Sequence, residues 1–121
     1  MADVKRIDID DPEVDMDYGQ RLLYQGELFT GEVEERLGDA VVSLDAYVDG
    51  IQHGPSREWY MDGTLRSEGT AHMGCPVGVS RTWHPNGTLA SERLFTENGQ
   101  AILEDLQWDE EGQPTKDWRK S

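Results

Sequence analysis

The stretch that decides the fold is a ten-residue pattern that occurs twice, as WYMDGTLRSE at residues 59–68 and as WHPNGTLASE at residues 83–92. Both copies begin with tryptophan, carry Gly-Thr-Leu at the same positions and end in Ser-Glu. An Asp-Gly or Asn-Gly pair lies near the middle of each copy, and these pairs favour tight turns with positive φ. Each copy therefore predicts a β-hairpin, and the repetition predicts that hairpins follow one another along the chain.

The repeat continues on both sides of this pair at a spacing of 24 to 25 residues. Three tryptophans and three turn glycines keep the spacing: Trp59, Trp83, Trp108, Gly63, Gly87 and Gly112. We divide the chain into an acidic, flexible leader (1–20), four copies (near 21–46, 47–70, 71–95 and 96–118) and a tail (119–121). The first and last copies are degraded, as is common at the ends of a repeat array.

Alternation of side chains within a copy predicts strands. Along residues 57–60, Arg57 and Trp59 should lie on one face, and Glu58 and Tyr60 on the other. A single hairpin is marginal in water, so the copies must extend one sheet to bury their tryptophans and leucines. The predicted fold is all-β, an elongated, twisted antiparallel sheet of tandem hairpins, with Trp83 in its central core.

The same unit carries a family resemblance. Read from Tyr47 to Glu68, it combines Tyr-x-x-Gly, His-Gly, Trp-Tyr, Gly-Thr-Leu and Ser-Glu. Over about residues 24–112 this pattern resembles the MORN-like repeats of bacterial YwqK-family antitoxin proteins. The resemblance implies hairpin repeats and, for function, an antitoxin or immunity protein that neutralises a toxin. It implies no catalytic residue, because the matched positions are turn glycines and core aromatics.

Charge favours a basic protein as the partner. The chain holds 25 acidic and 11 basic residues, a formal net charge of -14. Such an excess opposes binding to nucleic acid or to an anionic membrane, and it attracts a basic protein, such as a basic nuclease toxin. No apolar run approaches the roughly 20 residues of a membrane span, and no secretion signal is apparent, so we expect a cytoplasmic protein.

The acids of the first copy are the predicted contact surface. Residues 21–50 contain seven acids and two bases, whereas residues 51–95 contain four of each. The predicted partner-binding residues are six of these acids and one outward-facing aromatic anchor: Glu32, Glu34, Glu35, Asp39, Asp45, Asp49 and Tyr60. The charge has an alternative role in solubility and in keeping exposed sheet edges from pairing with other chains.

No pattern in the chain indicates a catalytic residue, a metal ion or another cofactor. The acidic run from Asp8 fails the test for an EF-hand calcium loop, because Pro12 and Glu13 occupy a ligand position and the glycine position. His72 and Cys75 have half of a zinc-site spacing, but no second pair follows. We therefore expect no enzyme, and the alternative to an antitoxin is a non-catalytic MORN-type scaffold that organises protein partners.

Overall fold

The computed structural model describes residues 5–121, which contain strands and no helix. The strands are β1 (Arg6–Asp8), β2 (Val14–Met16), β3 (Leu22–Tyr24), β4 (Glu27–Leu28), β5 (Gly31–Leu37), β6 (Ala40–Val48), β7 (Ile51–Trp59), β8 (Leu65–His72), β9 (Cys75–Trp83), β10 (Leu89–Phe95), β11 (Ile102–Trp108) and β12 (Pro114–Arg119).

Most of the chain forms one long, open, twisted sheet. Its nine strands follow the order β1-β5-β6-β7-β8-β9-β10-β11-β12, and from β5 onward every strand pairs antiparallel with the strand that follows it. Strands β2, β3 and β4 form a small second sheet. The predicted all-β sheet of successive hairpins is confirmed.

The repeated turns have a common geometry. The N–H of Tyr60 donates to the carbonyl of Thr64 (2.8 Å), the N–H of Gly63 donates to the carbonyl of Tyr60 (3.0 Å), and Asp62 Oδ1 accepts from the N–H of Thr64 (2.8 Å). The turn over residues 84–88 repeats these three bonds. Gly63 has a φ of 92° and Gly87 a φ of 88°, a conformation that side chains disfavour. The pattern therefore requires glycine at this position.

The three repeat tryptophans end the first strand of successive hairpins, as predicted. Trp59 lies opposite Leu65, Trp83 opposite Leu89 and Trp108 opposite Pro114. A β-bulge precedes each tryptophan. The extra residue of each bulge lies on the second strand of its hairpin: Arg66, Ala90 and Thr115.

Hydrogen bonds between turns set the stacking of one copy on the next. The hydroxyl of Tyr60 donates to the carbonyl of Trp83 (2.7 Å), and His84 Nε2 bonds to the carbonyl of Trp108 (2.8 Å). Tyr60 and His84 are the first turn residues of their copies. Tyr60 is half-buried and its hydroxyl is already bonded, so it presents less surface to a partner than we expected.

The core lies at the amino-terminal end of the sheet. Ile7, Leu22, Phe29 and Val33 form one buried cluster, whereas the repeat tryptophans are only half-buried. The small sheet provides a second layer here, attached by bonds from Leu22 N–H to the Gly50 carbonyl and from Gly50 N–H to the Phe29 carbonyl, both 2.8 Å. Elsewhere the sheet is a single layer, so a central core around Trp83 is a wrong prediction.

Residues 5–20, which we expected to belong to a flexible leader, contribute strands to both sheets. Residues 1–4 lie outside the described part of the chain, but β1 pairs in parallel with β5, and Ile7 lies opposite Val33 with 7% of its surface exposed. Strand β2 pairs with β3. Isolated apolar side chains among the acids, chiefly Ile7, give this segment enough buried surface to join the fold. At the other end, Arg119 still belongs to β12.

Cross-strand register gives the main sheet two different faces. On the first, which we call the serine face, serines recur on successive strands: Ser43, Ser56, Ser67, Ser80 and Ser91. The opposite face carries alternating charges on β7 to β10, and we call it the ladder face: Arg57, Glu68, Arg81 and Glu92. Nitrogen–oxygen distances along this ladder are 3.8, 3.9 and 2.8 Å.

Candidate functional site

Strand geometry separates the six acids predicted as one contact surface. Glu32 and Glu34 lie on the ladder face, whereas Glu35 and Asp45 lie on the serine face. The other two, Asp39 and Asp49, are in the turns at opposite ends of β6. A strand of this length is roughly 30 Å long. The six carboxylates therefore do not form a single surface.

The two ladder-face acids are paired with basic side chains of the same protein. Glu32 accepts from Arg6 at 3.1 Å, and Glu34 accepts from Arg36 at 3.2 Å. These pairs reduce the negative field that either carboxylate presents to a partner. On the serine face, Glu35 and Asp45 have no such basic partner among the described residues.

Two adjoining cavities on the serine face share Glu35. The first, of about 260 Å³, is lined by Ile9, Val33, Glu35, Ser43, Asp45 and Tyr47. The second, of about 230 Å³, is lined by Glu35, Leu37, Val42, Glu58, Trp59, Tyr60, Met61 and Arg66. We call the two cavities together the acidic-aromatic site.

The carboxylates of this site have no basic partner. Among residues 5–121, no Lys, Arg or His lies within 4.0 Å of the carboxylate of Glu35, Asp45 or Glu58. Glu58 instead accepts a hydrogen bond from the Ser67 hydroxyl (2.8 Å). Asp45 accepts from the Ser56 hydroxyl and from Gln52 Nε2 (3.0 Å). Three unneutralised carboxylates therefore surround two adjoining cavities.

Asp45 and Asp105 are two aspartates of the serine face whose pKa values are shifted in opposite directions. Burial raises the pKa of Asp45, and the nearby charge of Glu58 raises it further, against the lowering effect of the bonds from Ser56 and Gln52. The carboxylate of Asp105 is also buried, but hydrogen bonds from Lys116, Gln107 and Arg93 lower its pKa. The contrast shows that Asp45 lacks the cations that Asp105 has.

We predict opposite pH effects from neutralising these two acids. Because folding raises the pKa of Asp45, the folded chain loses stability as the pH rises above the ordinary value of 3.8. Asp45→Asn should remove this loss and should melt at or slightly above the temperature of the parent at pH 7. Asp105→Asn should melt lower at pH 7, because it leaves Arg93 and Lys116 without their partner. Thermal melts from pH 3 to pH 8 would measure both effects, and a lower melting temperature for Asp45→Asn at pH 7 would contradict the assignment.

Exposed apolar side chains border the second cavity. Leu37 is 52% exposed and Met61 is 65% exposed, and both lie in or beside the turns at one end of the sheet. The guanidinium of Arg66 lies 5.6 Å from the centre of the Tyr60 ring, so one face of that ring already holds a cation. The site thus combines apolar contact area with unpaired negative charge.

Two of the histidines, His53 and His72, lie next to each other on neighbouring strands. The rings of His53 and His72 lie 4.7 Å apart, and His53 Nδ1 accepts a long bond from the N–H of Met73 (3.4 Å). His72 lies directly opposite Cys75 across the hairpin. Despite this proximity, the described residues contain no group of three or more histidine, cysteine or acidic side chains placed to hold a metal ion.

Sequence reasoning missed three components of the site: Glu58, Leu37 and Met61. Glu58 belongs to a copy with balanced charge, so composition gave no reason to select it. Its position on the serine face follows from the register of β7 with β6, where it lies opposite Ser43.

Comparison with known proteins identifies no relative. No family model matches the chain, and neither a curated protein nor a solved structure matches it. The resemblance to MORN-like repeats therefore depends on the repeated residues alone. In the described residues there is no helix long and apolar enough to cross a membrane.

Proposed function

We propose that this protein binds a basic protein through the acidic-aromatic site, without catalysis, and that the partner is a toxin which it neutralises in the cytoplasm. The observation that carries the proposal is the group of three carboxylates without basic partners, Glu35, Asp45 and Glu58, around two cavities, the second of which has exposed apolar side chains at its border.

Lysine and arginine side chains fit this combination. Each has an apolar stem that can cover Leu37 and Met61, and a charged end that the carboxylates would attract. Attraction is stronger in a cavity than at an open surface, because less water screens the charges. A basic patch on a partner would also be guided toward this end of the protein, which increases the association rate.

An antitoxin function has two supports. The first is the resemblance to MORN-like repeats of antitoxin proteins, and the second is the acidic character of the site, which suits the nucleic-acid groove of a basic nuclease. The alternative, a scaffold that organises several protein partners, requires several binding surfaces. The acidic-aromatic site is a single place where unpaired carboxylates, cavities and exposed apolar side chains meet, so we favour a single partner.

The proposal predicts binding that depends strongly on salt. If a neighbouring gene encodes a toxic domain, that domain is the candidate partner, and co-expression with this protein should restore growth. The association rate of the two purified proteins should fall about tenfold or more between 0.01 and 0.1 M salt, as the Debye length shortens from about 30 to about 10 Å. Surface plasmon resonance across a salt series would measure this effect. Failure to bind and to restore growth would exclude that toxin as the partner, and binding with no salt dependence would exclude the electrostatic mechanism.

A further inference from the structure

Strand β12 ends the sheet with an open edge. In the part of the chain that the structure describes, β12 has a neighbour on one side only, and all six of its residues are exposed. An open edge presents unpaired N–H and carbonyl groups that another strand can bind.

The register shows which backbone groups are free. The N–H of Lys120 donates to the carbonyl of Leu103 (2.9 Å) on the side of β11. Backbone groups in an antiparallel strand point alternately to its two sides, so Lys116 and Trp118 also bond toward β11. The N–H and carbonyl groups of Asp117 and Arg119 therefore point outward.

The side chains of β12 complement a second copy of the same strand. Trp118 is 45% exposed on the serine face, where it lies opposite Asp105. Asp117 and Arg119 lie on the ladder face, 3.7 Å apart. A strand that carries both charges on one face can form two ion pairs when it meets itself in the antiparallel direction.

We propose that β12 pairs antiparallel with β12 of a second copy, with Trp118 opposite Trp118 of the second copy. This register places Asp117 opposite Arg119 of the second copy and, by two-fold symmetry, Arg119 opposite Asp117 of the second copy. These outward-pointing residues would exchange the backbone hydrogen bonds. The two tryptophans would occupy a non-hydrogen-bonded pair, where side chains approach each other most closely.

One further feature favours this occupant. Antiparallel pairing brings the acidic turn that holds Glu110 and Glu111 toward the basic end of the partner strand. Two symmetry-related pairs of like charges result, Lys116 opposite Lys120 of the second copy and the reverse, but each Lys116 is already neutralised by Asp105 at 2.9 Å. The interface is small, and each copy has a net charge of -14, so we expect a weak dimer with a Kd of about 10 to 100 μM.

A charge swap tests the proposed register. Sedimentation equilibrium of the full chain at about 5 to 500 μM in 0.15 M salt should show a monomer and dimer in exchange. Asp117→Arg and Arg119→Asp should each weaken the dimer by about tenfold, and the double variant D117R/R119D should restore it. A chain that remains monomeric over this range, or a double variant that is as weak as the single ones, would overturn the proposal.

A proline substitution tests the role of the edge. Asp117→Pro removes an outward N–H and leaves the bonds to β11 in place, so it should abolish the dimer, whereas Asp117→Ala should retain a weakened dimer. Circular dichroism would verify that both variants remain folded. A dimer that persists in Asp117→Pro would show that the copies meet at another surface. Should Asp117→Pro fail to fold, the charge swap alone decides.

Discussion

Replacing Leu22 with alanine is expected to lower the free energy of unfolding by about 3 to 5 kcal/mol. Leu22 is fully buried and packs in the cluster with Ile7, Phe29 and Val33, where the small sheet covers the main sheet. The truncation removes apolar contacts and leaves a cavity that the surrounding strands cannot easily close. Chemical denaturation followed by circular dichroism would measure the loss.

Two control variants make this prediction specific. Leu28 is on the adjacent strand of the small sheet and is 39% exposed, so Leu28→Ala should cost less than about 1 kcal/mol. Trp83→Ala should cost about 1 to 3 kcal/mol, less than a fully buried tryptophan, because its ring is half-buried. A larger loss from Trp83→Ala than from Leu22→Ala would show that the repeats, and not the amino-terminal cluster, hold the main core.

The hairpin repeats were predictable because their signals are local. The turns need glycine at positions 63 and 87 because φ is positive there. The five residues of each turn are enough to predict this requirement. Equal spacing then fixes equivalent positions for Trp59, Trp83 and Trp108. Neither step needs knowledge of which residues meet in space.

The core was not predictable by the same reasoning. Ile7 stands among acids, and its burial depends on a parallel pairing with Val33, 26 residues away. Leu22 and Phe29 precede the well-formed copies and have no equivalent in them. A single sheet buries little on either face, so the place where a second layer forms decides the core. The repeat pattern contains no information about that place.

The candidate site was predictable only in part, for a related reason. Charge selected Glu35 and Asp45, which line the same cavity, but it also selected Glu32 and Glu34, which alternation places on the opposite face. Glu58 lies in a copy of balanced charge and reaches the site through cross-strand register. A count of charges along the sequence cannot distinguish the two faces of a strand.

Reversing Glu35 and Glu58 to lysine is expected to reduce the association rate with a basic partner by about 10- to 100-fold at low salt. Both carboxylates border the second cavity and have no basic partner of their own, so the reversal replaces attraction by repulsion at the contact itself. The dissociation rate should also rise, because the lysines would face the cations of the partner. Stopped-flow kinetics against the toxic domain, together with growth rescue, would measure both effects.

The matched control is the reversal of Glu110 and Glu111, which changes the net charge equally at the last turn of the sheet. Both residues are exposed, and neither forms a salt bridge in the described chain. Long-range attraction depends on total charge, so the control should lower the association rate by only about two- to threefold and should leave dissociation unchanged. Equal effects from the two double variants would mean that the partner responds to net charge alone. The acidic-aromatic site would then be excluded as the contact. Charges at a contact should affect binding more than equal charges elsewhere on the protein.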